Sequence, residues 1–300
     1  MVKKVSWVTL IAFGLMGILA GTAFASAENE YPNGIEGIKA ASVPPPGFYY
    51  RMYNVFYTAD TLTDSDGDEL DVDFDLNLFV NAHRFIWTSK QKILGGYYGA
   101  DLIVPIFNID FELGAFGLDD ENTGMGDICL EPLILSWHGA RYDAAVAAGF
   151  YAPTGESHAD NPALSPGKDM WTGMFTLGGT LYFDVAKTWS ASVLARYEVH
   201  GVKKYSRFAP GDDFHFEWGL GKTVAKVLDI GVTGYCQWQV TDDSGPGSTG
   251  DKDSVYAVGP EASIFIPSAM FFMSLRSQWE FGAEDRSEGI FTTLTLTKIF

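Results

Sequence analysis

Apolar and polar residues alternate along this chain with a period of two, from about residue 47 to its last residue. That spacing puts one set of side chains on each face of a β-strand. It predicts twelve strands, over 47–59, 72–86, 93–107, 126–138, 142–152, 170–185, 188–200, 212–226, 228–241, 253–266, 270–282 and 288–300. In "WSASVLARYEVH" (189–200) one face carries Trp189, Ala191, Val193, Ala195, Tyr197 and Val199, and the other Ser190, Ser192, Leu194, Arg196, Glu198 and His200. "FFMSLRSQWEF" (271–281) divides the same way, with Arg276, Gln278 and Glu280 on its polar side. Most of these runs hold about 10–14 residues, the length a tilted strand needs to cross a bilayer.

The connections alternate as well. Those near 88–92, 139–141, 186–188, 225–227 and 267–269 are short, whereas 60–71, 108–125, 153–169, 201–211 and 241–253 are long and mostly polar. Short turns at one end and long loops at the other describe an all-β transmembrane antiparallel up-and-down barrel, with periplasmic turns and extracellular loops. A β-sandwich has no reason for that asymmetry. Trp87, Trp137 and Trp189 fall beside the short turns, and Trp171, Trp238 and Trp279 near the long loops. Indoles prefer the two membrane–water interfaces, so this distribution predicts two aromatic belts.

The chain ends fit the same picture. Lys3 and Lys4 precede an apolar stretch over 8–21 and the small residues of "AFASA" (23–27), a secretory signal peptide over 1–25 with cleavage after 25 or 27. The segment 28–46, with its stiff "PPP" at 44–46, could plug the lumen or hang below it; we place it in the periplasm. The barrel itself is assigned to 47–300. The last residues, "LTLTKIF" (294–300), put Leu294, Leu296 and Phe300 on the lipid face and Thr293, Thr295 and Thr297 on the lumen face. A terminal aromatic on such a strand suits the barrel assembly machinery, which we expect Phe300 to engage. Lipid and lipopolysaccharide are the other expected partners.

Charge removes one class of partner. Without the signal the chain has 18 basic and 38 acidic residues, a net −20, so nucleic acid is not expected. Cys129 and Cys236 fall on opposite faces, one inward and one toward lipid, and no disulfide is expected between them. "GLGKT" (219–223) lacks the first glycine of a phosphate loop, having Phe216 there. Asp64, Asp66 and Asp68 in "DSDGDELD" are a weak surface candidate for a divalent cation, but Gly67 comes too early for a calcium loop. No other metal and no cofactor is expected.

Alternation also assigns the lumen. The inward set includes Arg51, Asp73, Asp75, His83, Asp101, Glu131, Arg196, Glu198, His200, His215, Glu217, Gln237, Arg276, Gln278 and Glu280, a polar wall with acids in excess of arginines. Within a narrow bore the arginines must pair with the acids. Tyr49, Tyr53, Tyr97 and Tyr235 interleave with this wall.

Six stretches occur in order: "VPPPGFY" (43–49), "GMGDICLEP" (124–132), "YAPTGE" (151–156), "YSRFAPGDDF" (205–214), "GYCQWQVTDD" (234–243) and "VGPEASIF" (258–265). Together they resemble the phenol meta-pathway degradation family of outer-membrane proteins. The resemblance implies an outer-membrane barrel of a Gram-negative bacterium that takes up hydrophobic compounds, and it supplies no catalytic residues. The expected function is therefore passive passage of small, weakly polar, aromatic or hydrophobic solutes, and not an enzyme. A lipase- or protease-like barrel and a purely structural barrel are the alternatives.

Overall fold

The computed structural model describes residues 29–158 and 162–300, so the signal-peptide segment lies outside the described residues. Thirteen strands run in order: β1 (Gly47–Leu62), β2 (Phe74–Ile93), β3 (Gly96–Leu113), β4 (Leu118–Met125), β5 (Ile128–His138), β6 (Tyr142–Ala152), β7 (Thr172–Tyr182), β8 (Trp189–His200), β9 (Asp213–Val224), β10 (Leu228–Gln239), β11 (Ser254–Ile266), β12 (Phe271–Glu284) and β13 (Ser287–Ile299). Neighbours in sequence pair antiparallel, with one exception. The far half of β3, 106–113, pairs with β4, while its near half, 97–103, pairs with β5. β4 and β5 therefore form one interrupted stave, and the barrel has twelve. β1 closes on β13 from Tyr49↔Ile299 to Leu62↔Ser287, leaving no strand edge in lipid.

The interruption between β4 and β5 is chemical. Gly126 donates its N–H to the Pro105 carbonyl, and buried Asp127 turns inward to accept the N–H groups of Gly155 and Lys168, each at 2.7 Å. That pairing ties the 153–169 connection to the barrel rim. It gives "GMGD" a structural use that alternation could not reveal.

Several predicted boundaries move. β2 runs through 88–92, and the turn to β3 is at Leu94 and Gly95. The stretch 108–125 is not an open loop: β3 continues to Leu113 and β4 returns along it as a protruding hairpin. The exterior is apolar over most strands, with Trp87, Trp189, Trp171 and Trp279 about half exposed at the two ends. Cys129 is buried inward, Cys236 faces outward beside inward Tyr235 and Gln237, and both are free thiols.

The face of β2 is the reverse of the expected one. Arg84 pairs across the ladder with inward Arg51, and Ala82, Val80, Leu78 and Leu76 follow on the same side. Asp75 and His83 therefore point outward, as do Asn77 and Asn81, and Asp73, which precedes the strand with φ of 52°, is exposed. Asp73 and Asp75 sit at the exposed extracellular end, where polar side chains face water outside the barrel. His83 Nδ1 meets Tyr50 Oη at 2.6 Å and Asn81 donates to Asn54 at 2.8 Å, so these two groups find partners on the outer surface. Equating polar with inward fails on this strand because its inner face belongs to an apolar cluster.

Candidate functional site

The segment preceding β1 does not hang in the periplasm. It enters the barrel from the periplasmic rim and climbs the lumen, because the wall carries carboxylates that need donors. Glu198 accepts the N–H of Glu30 at 2.6 Å and of Tyr31 at 3.0 Å, Glu217 that of Glu36 at 2.8 Å, and Glu261 that of Ile38 at 2.7 Å. Lower down, Lys39 meets Asp229 at 2.9 Å and Ser42 donates to Asp143 at 2.8 Å. Two glycines make the path possible. Gly34 and Gly37 have φ of 67° and 70°, the left-handed region. A Cβ on Gly37 would collide with the Arg276 guanidinium and the Glu261 carboxylate, and one on Gly34 with Tyr235 and Gln278.

At the centre of this plug, Glu36 gathers four partners. Its carboxylate accepts from Tyr31 Oη (2.6 Å), Tyr53 Oη (2.8 Å), Arg51 Nη1 (2.6 Å) and Arg84 Nη1 (2.6 Å). Arg84 also donates through Nε to Asp101 at 2.7 Å and through Nη2 to Glu131 at 2.8 Å. The Arg196 guanidinium lies over the Tyr31 ring at 3.6 Å and pairs with Glu217 at 2.7 Å. Arg276 pairs with Glu261 at 3.1 Å and donates to the Ile35 carbonyl. Charges this deep must be paired and hydrogen-bonded to persist, and these are.

The layers above differ by side. Along β1, β2, β3 and β13 the extracellular half is apolar: Val55, Tyr57, Phe74, Val80, Phe111 and Phe291 are buried in one cluster with Tyr31 and Ile35 of the plug. On β8 to β12 it is polar. His215 contacts Glu198 at 3.1 Å, His200 contacts Asp213 at 2.9 Å, and Gln237 bridges Asp213 and Asp253. Arg286 completes this side by pairing with Asp253 at 3.0 Å. Glu280 accepts from Tyr57 and Tyr235, each at 2.7 Å, and Gln278 donates to Thr233 at 3.1 Å.

Of the lumen residues expected from sequence, Arg51, Asp101, Glu131, Arg196, Glu198, His200, His215, Glu217, Gln237, Arg276, Gln278 and Glu280 all face inward. Glu36, Arg84 and Arg286 were missed. Arg84 was hidden by the inverted reading of β2, and Arg286 lies in the last hairpin turn, where alternation says nothing. Asp64 is occupied by its own turn, its carboxylate accepting the N–H of Asp66 at 3.0 Å and of Asp68 at 2.9 Å. Among the described residues no group of three His, Cys, Asp or Glu side chains is placed to hold a metal. Ser165 lies beside His158 on the 153–169 connection, but its hydroxyl bonds the backbone of His158 and not the ring.

The family model described as "Putative MetA-pathway of phenol degradation" matches residues 59–296. Among solved structures, an outer membrane channel of Pseudomonas putida F1 superposes with a TM-score of 0.77 at 15 % identity, covering 87 % of this chain and 97 % of that one. A monoaromatic hydrocarbon channel, CymD, gives 0.46 at 9 % identity, with 86 % and 89 % covered. A FadL homologue of Pseudomonas aeruginosa gives 0.44 at 10 %, with 84 % and 88 % covered. Scores below 0.5 at such identity carry no argument about function. No curated protein matches the chain in sequence. The barrel is an outer-membrane one, of a Gram-negative bacterium.

Proposed function

We propose that this chain, which belongs to the MetA-pathway phenol-degradation family, is a channel for passive uptake of small, weakly polar, aromatic or hydrophobic solutes, closed at rest by its own N-terminal segment. The observation that carries the reading is the apolar inner wall over β1–β3 and β13. A polar pore has no use for Val55, Val80, Phe111 and Phe291 inside its extracellular half, whereas an apolar solute leaving water gains by touching them. The acidic excess on the opposite wall disfavours anions. The plug blocks free diffusion of ions, since the segment from Asn29 to Ser42 is bonded to the wall at several heights.

Proteoliposome swelling tests this. Full-length barrel should admit phenol or toluene faster than protein-free vesicles while excluding glucose and benzoate. Equal exclusion of all four solutes would leave a structural barrel, and equal admission would make it a general pore.

A further inference from the structure

The extracellular connections are not alike in charge. Those over 60–71 and 241–253 carry ten acids and one lysine between them, whereas 201–211, between β8 and β9, carries Lys203, Lys204 and Arg207 and no acid. Elsewhere at this end Lys252 pairs with Asp242 at 2.9 Å and buried Arg286 with Asp253 at 3.0 Å. Lys204 and Arg207 stand apart. Both are exposed, and among the described residues neither meets a carboxylate within ion-pair distance. The Lys204 ammonium lies over the Tyr205 ring at 4.9 Å. In a chain of net −20, two exposed cations that no acid has claimed are available to an outside anion.

The backbone that displays them is braced. Gly201 donates its N–H to the Trp171 carbonyl at 2.8 Å and Lys204 to the Asp169 carbonyl at 3.0 Å, so the connection continues β8 alongside 169–171. The Asp169 carboxylate accepts the N–H of Tyr205 at 2.8 Å. The chain then turns back, Lys203 donating to the Phe208 carbonyl at 2.8 Å and Arg207 to the Lys203 carbonyl at 3.1 Å. Phe208 is buried, and Ala209 exchanges two 2.8 Å hydrogen bonds with Ser244 of the next connection. A ligand here meets a surface already ordered, which lowers the entropic cost of binding.

The surface just below the cations is apolar. Trp171 is 59 % exposed, and Phe175 of β7 and Val199 of β8, both outward, are exposed beneath it, with Val202 and Tyr205 above. Trp171 stands in the extracellular aromatic belt, at the level where hydrocarbon gives way to head groups. From the bilayer upward the order is therefore aliphatic and aromatic side chains, an indole, then two positive charges. A molecule that fits this order has acyl chains below and fixed negative charge above.

We propose that this ridge binds the phosphorylated head of the outer-leaflet lipid, the lipid A part of lipopolysaccharide. Its phosphates lie at Lys204 and Arg207, and its acyl chains run along Trp171, Val199 and Phe175. The acidic connections repel the same lipid, so the barrel holds it on the β7–β8 side. The site owes nothing to the uptake reading.

Titration of the barrel, refolded in detergent, with deep-rough lipopolysaccharide under native mass spectrometry tests the site. Removal of the lipid A phosphates by phosphatase should abolish most of the binding, and inorganic phosphate at the same concentration should not displace the intact lipid. Lys204→Gln combined with Arg207→Gln should weaken the intact lipid about thirtyfold, about fivefold for each cation beside an anionic lipid surface. Both side chains are exposed, so the melting temperature should stay the same. Lys222→Gln, an equally exposed cation at the periplasmic end of β9, should leave binding unchanged. Equal affinity for the phosphorylated and dephosphorylated lipid, or equal losses from Lys222→Gln and the double variant, would overturn the assignment. Displacement by inorganic phosphate would leave an anion site only and would overturn it as well. Phenol flux through proteoliposomes should be the same for the native barrel and the double variant, so the lipid site and the uptake reading stand or fall separately.

Discussion

Replacing Glu36 by Gln tests what holds the plug. The carboxylate is nearly inaccessible and accepts two arginine and two tyrosine hydrogen bonds, all at 2.6–2.8 Å. A hydrogen bond to a charged group nets about 1.5–3 kcal/mol. Gln keeps the shape and can accept from one or two of these donors, but its amide also points an N–H toward a guanidinium. A loss of about 3 kcal/mol follows, two charge-assisted bonds at the low end of the range. The wall is spared most of it, because Arg84 keeps Asp101 and Glu131 and Arg51 keeps Thr297. The cost therefore falls on plug-in relative to plug-out, and 3 kcal/mol shifts that equilibrium roughly 150-fold. Planar-bilayer recording should show rare openings in the native barrel and frequent ones in Glu36→Gln, with the barrel melting temperature little changed. Lys39→Met is the control. Its ion pair with Asp229 is about one-quarter exposed on each side and worth at most about 1 kcal/mol, so openings should barely rise. Identical closed fractions in the native barrel and Glu36→Gln, or a collapse of the whole barrel, would refute the view of Glu36 as the plug's clasp.

On the reading that Phe300 is a signal for barrel assembly, Phe300→Ala should lower the yield of folded barrel in cells but not refolding in detergent, because the ring is exposed at the rim beside Phe48; equal loss in both settings would make it structural. Leu275→Arg, on the lipid face of β12, should cost roughly 2–4 kcal/mol by denaturant titration in vesicles, and a neutral result would mean that this face does not meet lipid. Asp285, in the β12–β13 turn, has its pKa pushed up to about 7 by burial and then by Asp251, Asp243 and Asp64. The folded state thus binds a proton that the unfolded chain has released, stability falls as pH rises from about 4 to 7, and Asp285→Asn should flatten melting temperature over that window. An unaltered slope would show that Asp285 does not titrate there.

Strand number, the order of short and long connections, and the inward face of every stave assigned from sequence except β2 were legible because lipid outside and charge inside leave little freedom in the alternation. β2 was misread for a physical reason. The rule that polar means inward holds only where the inner face is wet and the outer face is in lipid. On β2 the inner face packs against Tyr31 and Ile35 of the plug, and its extracellular end stands above the bilayer, so both conditions fail. The plug was out of reach for a related reason. Segment 29–46 has no period, since it lies along the lumen and takes partners from whichever strand is nearest. "NGIEG" (33–37) held the available hint, two glycines flanking one glutamate where the chain must bend past Arg276.

Besides the Glu36 clasp, two kinds of contact hold the plug, and they respond differently to opening. Glu198, Glu217 and Glu261 receive backbone N–H groups that water replaces once the lumen floods, so these bonds fix the register of the segment more than its residence. Tyr31 and Ile35 are different, because burial of each against the apolar wall is worth about 1.5–3 kcal/mol and water cannot substitute for it. A solute with an apolar surface can. Arriving from outside along Phe111, Val80 and Val55, it would cover the wall that Tyr31 and Ile35 vacate, whereas a sugar would leave that wall wet. On the uptake reading, Tyr31 and Ile35 therefore both help to keep the channel shut and select what opens it, and the hydrophobic wall and the plug tip act as one element.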